Sequence, residues 1–209
     1  MDRHLSRRNL AAVGFAAMGV AALSTGPATA QAPAPSGLGA LSTGKQDLEN
    51  TLYLDLDYGR VVIKLRPDLA PKHVARVKEL TRQGFYDGLV WHRVIDGFMA
   101  QTGDPDGDGS GGSGQNIPAE FNAGKHVRGA VSMARASNIN SADSQFFIVL
   151  ADSPHLDGQY TYWGEVIAGM EFVDKIRKGN PGRNGSVPYP DRIVRMQVAA
   201  DVKDAPAKK

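Results

Sequence analysis

Hydrophobic and polar positions alternate along the chain from about residue 50. Leucine, valine or isoleucine recurs at every second position from 52 to 65, interrupted only at the Tyr58-Gly59 pair. Side chains of a strand point alternately to the two faces of a sheet, so this pattern predicts a β-hairpin. Apolar residues then follow Pro71 at helical spacing as far as Leu80, and Gly84 is placed to end a helix, which predicts a helix over 71–83.

The rest of the chain carries more strand patterns. Together with the hairpin they make eight strands, and a second helix is predicted at about 170–178. One domain with this content predicts a mainly β fold, a closed eight-stranded barrel with two α-helices, because closure removes the exposed edges of an open sheet. The further predicted strands lie at 90–95, 97–102, 129–134, 145–151, 162–168 and 191–200.

The first thirty residues predict an export signal. Arg7 and Arg8 precede an uncharged, Ala/Gly-rich apolar run that ends at Leu23, and small residues at 28–30 suit a cleavage site. We expect twin-arginine export to the periplasm, with general secretory export as the alternative. The apolar run is shorter than the roughly 20 residues that span a bilayer, which makes a retained anchor the weaker interpretation.

Composition divides the remaining chain into three parts. Residues 31–48 are rich in proline, alanine and glycine, and are predicted to be a linker. Residues 49–201 have the size of one ordinary domain, and 202–209 are predicted to be a flexible tail.

Charge excludes one class of partner. Residues 1–30 hold three arginines and one aspartate, so their removal leaves 21 basic and 21 acidic side chains of the 24 and 22 in the whole sequence. This balance provides no long-range field for nucleic acid or an anionic membrane.

There is no cysteine, hence no disulfide. We expect a monomer without stable membrane insertion.

The segment 91–101, Trp-His-Arg-Val-Ile-Asp-Gly-Phe-Met-Ala-Gln, brings together candidate binding residues. If two strands meet at Asp96-Gly97, alternation places Arg93 beside an apolar floor that includes Phe98 and Met99. A hydrophobic socket with a guanidinium at its rim suits a mostly apolar ligand with lone pairs. Taken alone, the segment also fits a buried strand pair whose arginine extends to solvent.

Three further motifs decide between these interpretations. They are Phe-Tyr-Asp-Gly at 85–88, the segment 129–150 with Gly-Ala-Val-Ser-Met-Ala-Arg-Ala and Ser-Gln-Phe-Phe-Ile-Val-Leu, and His-Leu-Asp-Gly at 155–158. With 91–101, their order and spacing resemble the cyclophilin family of peptidyl-prolyl isomerases over about residues 50–198. The resemblance implies the same architecture, a closed eight-stranded antiparallel β-barrel with two capping α-helices. It also implies action on proline-containing peptides and unfolded exported proteins, without a cofactor.

The resemblance also assigns residues to the reaction. Rotation about an X-Pro amide faces a barrier of about 18–20 kcal/mol, and twisting turns the proline nitrogen into a hydrogen-bond acceptor. Arg93 is the implied catalytic residue, because a fixed guanidinium can donate to that nitrogen in the twisted state. The implied substrate-binding residues are Phe98, Met99, Gln101, Ala134, Arg135, Ala136, Gln145, Phe147, His155, Leu156 and Tyr160.

The chain departs from the best-known eukaryotic pattern at the far wall of the pocket. There His155 stands in place of a tryptophan and Tyr160 in place of a histidine. Outside that wall, Arg135 stands in place of an asparagine whose main chain pairs with the substrate. The first change puts tight binding of cyclosporin in doubt. The loop 137–143 is one residue longer than usual.

Two classes of function remain from the sequence. The first is an isomerase, and the alternative is a peptide-binding chaperone module with little catalysis. Arg93 favours the isomerase, since a binder needs only the apolar socket.

One further motif, Asp104-Pro-Asp106-Gly-Asp108, begins like a calcium-binding loop. Its twelfth position is Gln115 instead of the glutamate that such a loop requires, so we expect no metal.

Overall fold

A computed structural model describes residues 47–202 of the chain. The predicted signal peptide, most of the predicted linker and the predicted tail beyond residue 202 lie outside the described residues. Eight strands and two α-helices follow one another in the order β1 Thr51–Leu56, β2 Gly59–Leu65, α1 Pro71–Arg82, β3 Arg93–Ile95, β4 Met99–Thr102, β5 Ala130–Met133, β6 Phe146–Val149, β7 Tyr162–Ala168, α2 Met170–Val173 and β8 Arg195–Val198.

The eight predicted strands and both helices are confirmed, with shorter bounds for several of them. The strands form one sheet in the order β3-β4-β6-β5-β7-β2-β1-β8, and every neighbouring pair is antiparallel. The second helix ends at Val173 instead of about 178, and the last strand covers 195–198 instead of 191–200.

The prediction of a closed barrel is wrong, because the sheet is an open half-barrel with β3 and β8 at its edges. A different segment occupies the free edge of β3. The backbone N–H of Val94 donates to Gly185 at 2.8 Å, and Gly179 donates to the carbonyl of Val94 at 2.8 Å. These bonds use the outer edge of β3 itself. The chain that leads into β8 pairs instead with the residues ahead of β3, through the bridge between Val90 and Arg192 and the backbone hydrogen bonds beside it.

The two faces of β4 and β6 bury different sets of side chains. On β6, Phe146 and Ile148 enter the larger hydrophobic cluster, whereas Phe147 and Val149 enter a smaller one. We call the larger set the core cluster and the smaller set the pocket cluster. The buried members of the pocket cluster are Met99, Ala130, Phe147, Val149, Leu156 and Tyr162.

Helix α1 begins at Pro71, where the missing N–H of proline costs nothing. Two of the unpaired N–H groups in its first turn, those of Lys72 and His73, donate to the carboxylate of Glu120, each at 3.0 Å. The helix packs on β8 and buries Val74, Val77 and Leu80 in the core cluster. Among the described residues, no helix is both long enough and apolar enough to cross a bilayer.

Candidate active site

A cavity of about 630 Å³ opens over the pocket cluster. Nine of the twelve residues predicted for the site line it, namely Arg93, Phe98, Met99, Gln101, Ala134, Arg135, Phe147, Leu156 and Tyr160. Ala136 and Gln145 line an adjoining cavity of about 210 Å³. His155 is exposed, and its ring lies 5.5 Å from that of Phe98. The structure therefore brings all twelve to one region of the surface.

Arg93 is held by neutral acceptors on two sides. Its Nη1 donates to Gln101 Oε1 at 3.0 Å, across the β3–β4 pair in which these two residues are register partners. Its Nε donates to the carbonyl of Asn184 at 3.0 Å, and its Nη2 donates to Asn184 Oδ1 at 2.9 Å. The guanidinium is therefore fixed in orientation at the mouth of the cavity.

A chain of amides continues from this arginine. Gln101 Nε2 donates to Gln145 Oε1 at 2.9 Å. Gln145 Nε2 in turn donates to the carbonyls of Gly109 at 3.0 Å and Gly111 at 2.8 Å. Each amide thereby has a defined orientation, and the glycine-rich loop is tied to the sheet.

The charge of Arg93 is not neutralised by a neighbouring carboxylate. No ion pair joins it to any acidic group in the described part of the chain, in contrast to arginines such as Arg60, which pairs with Asp55. Burial lowers the pKa of Arg93, but a guanidinium stays protonated in proteins. Burial also lowers the pKa of the neighbouring His92, which favours its neutral form. A positive potential therefore remains at the cavity mouth.

Aromatic rings form the floor and one wall of the cavity. Phe147 is 5% exposed, and Tyr160 meets it edge-on with ring centroids 5.7 Å apart. Behind Phe147, the ring of His126 stacks at a centroid distance of 6.3 Å. The floor is thus supported from below and is not free to tilt away from a bound ring.

His126 belongs to an Asp-His-Ser array that the sequence reasoning missed, in which the histidine and the serine are buried. In the neutral imidazole, Nδ1 donates to Asp157 Oδ1 at 3.0 Å and Nε2 accepts from the hydroxyl of Ser132 at 2.9 Å. The backbone and ring of His126 lower the pKa of Asp157 to about 2. Ser132 is fully buried, so its hydroxyl does not reach the cavity and the array is structural support.

The segment 179–187 contributes site residues that the sequence reasoning also missed. Arg183, Asn184, Ser186 and Val187 line the cavity. Asn184 has a φ of 52°, a left-handed conformation that asparagine tolerates better than most residues. The Asn184-Gly185 pair is a recognisable turn signal, but nothing local indicates that this turn reaches Arg93.

Gly179 is required by the close approach of two backbones in this segment. A side chain there would overlap the carbonyl of Gly185. This contact closes the turn that presents Asn184 to Arg93.

No cluster of three or more metal-ligating side chains occurs within residues 47–202. The carboxylate of Asp104, the first residue of the calcium-like loop, is buried and accepts backbone hydrogen bonds from Asp106 at 2.9 Å and Asp108 at 3.1 Å. Its oxygens therefore hold the loop together.

Comparisons with known proteins agree with this architecture. Residues 51–198 match the family described as cyclophilin type peptidyl-prolyl cis-trans isomerase/CLD. The chain belongs to this family, and its enzyme class is peptidyl-prolyl cis-trans isomerase.

Relatives extend over most of the chain. A protein of Brucella suis biovar 1 named "Probable peptidyl-prolyl cis-trans isomerase" is 46% identical over 209 residues, which cover 94% of this chain and 98% of that protein. Peptidyl-prolyl cis-trans isomerase B of Bacillus subtilis is 43% identical over 126 residues, covering 59% of this chain and 87% of its own length.

Solved structures show the same fold. A cyclophilin from Hirschia baltica has a TM-score of 0.68 at 26% identity, over 76% of this chain and 77% of its own. A cyclophilin type isomerase of Cryptosporidium parvum, crystallised in the presence of the dipeptide Ala-Pro, has a TM-score of 0.65 at 29% identity, over 71% of this chain and 98% of its own.

Proposed function

We propose that this isomerase accelerates X-Pro rotation in exported or folding proteins by stabilising the twisted amide electrostatically with Arg93. The observation that carries the proposal is the guanidinium fixed at the mouth of an apolar cavity by Gln101 and Asn184, with no carboxylate to neutralise it. A donor that is fixed before the substrate arrives needs no reorganisation during the reaction.

Arg93 retains hydrogens for a substrate. A guanidinium has five N–H donors. Nε, one hydrogen of Nη1 and one of Nη2 are used by Gln101 and Asn184, and a second Nη1 hydrogen meets only Met99 Sδ at 3.9 Å. At least one Nη2 hydrogen is free to reach the proline nitrogen. Because that nitrogen accepts a hydrogen bond only when the amide is twisted, the contact favours the transition state over the planar substrate.

The apolar floor would grip the proline ring while the preceding carbonyl swings. Phe147, Met99 and Leu156 are buried in the pocket cluster, and Phe98 packs against it. The Cryptosporidium cyclophilin was crystallised in the presence of Ala-Pro, which supports a proline-containing peptide as the occupant of the corresponding surface.

Substitution of Arg93 tests the mechanism. We expect Arg93→Ala to lower kcat/KM for a short X-Pro peptide by at least about tenfold with an unchanged circular dichroism spectrum, which corresponds to at least 1.4 kcal/mol of transition-state stabilisation. Arg93→Lys should restore little activity, because an ammonium lacks the planar fork of donors. Full activity in a folded Arg93→Ala variant would refute the role of Arg93.

The alternative, a peptide-binding chaperone module with little catalysis, makes a different prediction in the same experiment. Such a protein would bind X-Pro peptides but would not accelerate their isomerisation, and Arg93→Ala would change affinity alone. The uncompensated charge of Arg93 favours the enzyme, since an apolar socket would suffice for binding.

Export to the periplasm is the cellular part of the proposal. It rests on Arg7 and Arg8 ahead of the short apolar run, and on a cysteine-free domain that needs no oxidising compartment before it folds. We expect cleavage after Ala30 and a mature protein that starts at Gln31.

Replacement of Arg7 and Arg8 by lysine should leave the precursor in the cytoplasm, and N-terminal sequencing of the periplasmic protein should begin at Gln31. Normal export of the double variant would indicate the general secretory route. An uncleaved N-terminus in the membrane fraction would overturn the periplasmic assignment.

A further inference from the structure

We propose that Arg135 and Arg183 make the cavity selective for peptides with acidic side chains beside the proline. The inference rests on the proposed function, because it concerns the peptides that the same cavity holds. Three arginines and one aspartate, Asp108, are the charged residues that line the cavity. A bound peptide therefore meets an excess of positive charge.

Arg135 is fixed by neutral groups. Its Nε and Nη2 donate to the carbonyl of Gln159 at 3.2 and 3.1 Å, and its Nη1 donates to the carbonyl of Ala136 at 2.9 Å. The guanidinium also lies over the ring of Tyr160, 4.7 Å from its centroid. These contacts use three of its five N–H donors, so an orientated cation with two free donors faces the cavity.

Arg183 is the second cation. It precedes Asn184, the residue that anchors Arg93, and its exposed guanidinium makes no hydrogen bond or ion pair with any residue between 47 and 202. Its charge is therefore available to a peptide, although its side chain is less restrained than that of Arg135.

The two arginines lie on opposite sides of the proline floor. The sheet order in this region is β3-β4-β6-β5, and Phe147 is on β6. Arg93, and Arg183 beside it, lie on the β3 side of Phe147. Arg135 lies on the other side, directly after β5. A peptide whose proline sits on Phe147 thus has one cation near each flank.

Several other arginines of the fold are neutralised. Five of them form ion pairs with aspartate or glutamate, and none of the five lines the cavity. They are Arg60, Arg66, Arg76, Arg82 and Arg128. Arg135 and Arg183 have no carboxylate partner among residues 47–202, and they line the cavity, so their charges are available to a substrate.

The test compares two peptides that differ only in having glutamate or glutamine on both sides of an Ala-Pro bond. Isomerisation is measured by exchange NMR, which needs no coupling protease. We expect kcat/KM to be about fivefold higher for the glutamate peptide at low ionic strength, the range of exposed charge pairs. The preference should largely vanish in roughly 0.5 M NaCl, where screening is strong.

Variants assign the preference to the two residues. Arg135→Gln and Arg183→Gln should each lower the ratio, and the double variant should bring it close to one. Arg195→Gln is the matched control, since Arg195 is an exposed arginine on β8 that does not line the cavity and has no ion-pair partner within residues 47–202. It removes the same charge and should leave the ratio unchanged.

Equal kcat/KM for both peptides in the wild type, or an undiminished preference in the folded double variant, would overturn the proposal while leaving isomerase function intact. Absence of catalysis with either peptide would overturn the proposed function, and this inference with it.

Discussion

Phe146 and Phe147 are neighbours on β6, but they lie on opposite faces of the sheet and have different roles. Phe146 is fully buried, and the rings of Tyr86, Trp91 and Trp163 surround it edge-on at centroid distances of 5.5–6.3 Å. Phe147 has His126 behind it and a cavity of about 630 Å³ in front. One strand therefore stabilises the fold with one face and builds a binding floor with the other.

The two faces also differ in how their polar groups are satisfied. In the core cluster, the indole nitrogens of Trp91 and Trp163 have no hydrogen-bond partner among the described residues. On the cavity side, the Arg93–Gln101–Gln145 chain is bonded at each step. The position of these indoles is specified mainly by packing, whereas the orientation of Arg93 is specified by directional bonds.

The largest effect is expected for Phe146→Ala. Its ring fills the centre of the aromatic group, so its loss should lower the free energy of unfolding by about 3–5 kcal/mol, measured by urea denaturation. At low temperature, where the variant remains folded, kcat/KM should stay near the wild-type value. A smaller loss than that of Phe147→Ala would contradict the division between the two faces.

Phe147→Ala is the matched variant on the other face. It opens the cavity floor and should weaken peptide binding by about 2 kcal/mol, roughly thirtyfold in kcat/KM, with a smaller loss of stability than Phe146→Ala. Peptide titration and turnover measurements check this. Wild-type affinity and turnover would reassign Phe147 to the general core.

Asn184→Gly removes one anchor of Arg93 without straining the backbone. Glycine accepts the φ of 52° and keeps the carbonyl that binds Nε, but loses the Oδ1 that binds Nη2. We expect about a fivefold decrease in kcat, the effect of one hydrogen bond worth about 1 kcal/mol, with little change in stability. A wild-type kcat in the folded Asn184→Gly variant would argue against positioning of Arg93 by Oδ1.

The smallest predicted effect is the loss of stability in mild acid, counted for each buried histidine. Burial lowers the pKa of His73, His92 and His126 below the usual 6.5. At a pH between the folded and the unfolded pKa of a histidine, the unfolded chain binds more protons than the folded one. The contribution of the neutral histidines to the free energy of unfolding is therefore fully present above about pH 6.5, and it is lost as the pH falls toward their pKa values in the folded protein. From pH 7 to 6 we expect the free energy of unfolding to fall, by at most about 0.7 kcal/mol per histidine. Urea denaturation at both pH values measures this loss. The variant His126→Gln should reduce the loss by the contribution of one histidine. An unchanged free energy of unfolding would contradict the neutral state of these rings.

Much of the fold and of the candidate site could be predicted because the signals are local. Period-two alternation identified the strands, and Pro71 marked the start of α1. Eleven of the twelve site residues lie in three of the motifs, Tyr160 follows the last of them, and all twelve gather in one region. Their roles remain predictions that the variants above would test.

Two features could not be predicted in this way. The sheet is open and not closed, because the segment 179–187 occupies the edge of β3. The array of Asp157, His126 and Ser132 joins residues from separate parts of the chain. The first depends on which distant backbone groups compete for the same hydrogen bonds, and the second on which side chains the packing of the domain brings together.

The sequence by itself therefore determined the elements, the family resemblance and the residue types of the site, because alternation and motif spacing act over a few residues. Only the tertiary structure decided how the guanidinium of Arg93 is held. Asn184 lies 91 positions further along the chain, and it reaches Arg93 because β3 leaves a free edge on which the segment 179–187 can pair. Such a contact is set by the packing of the whole domain, since no local pattern records which turn will meet which strand.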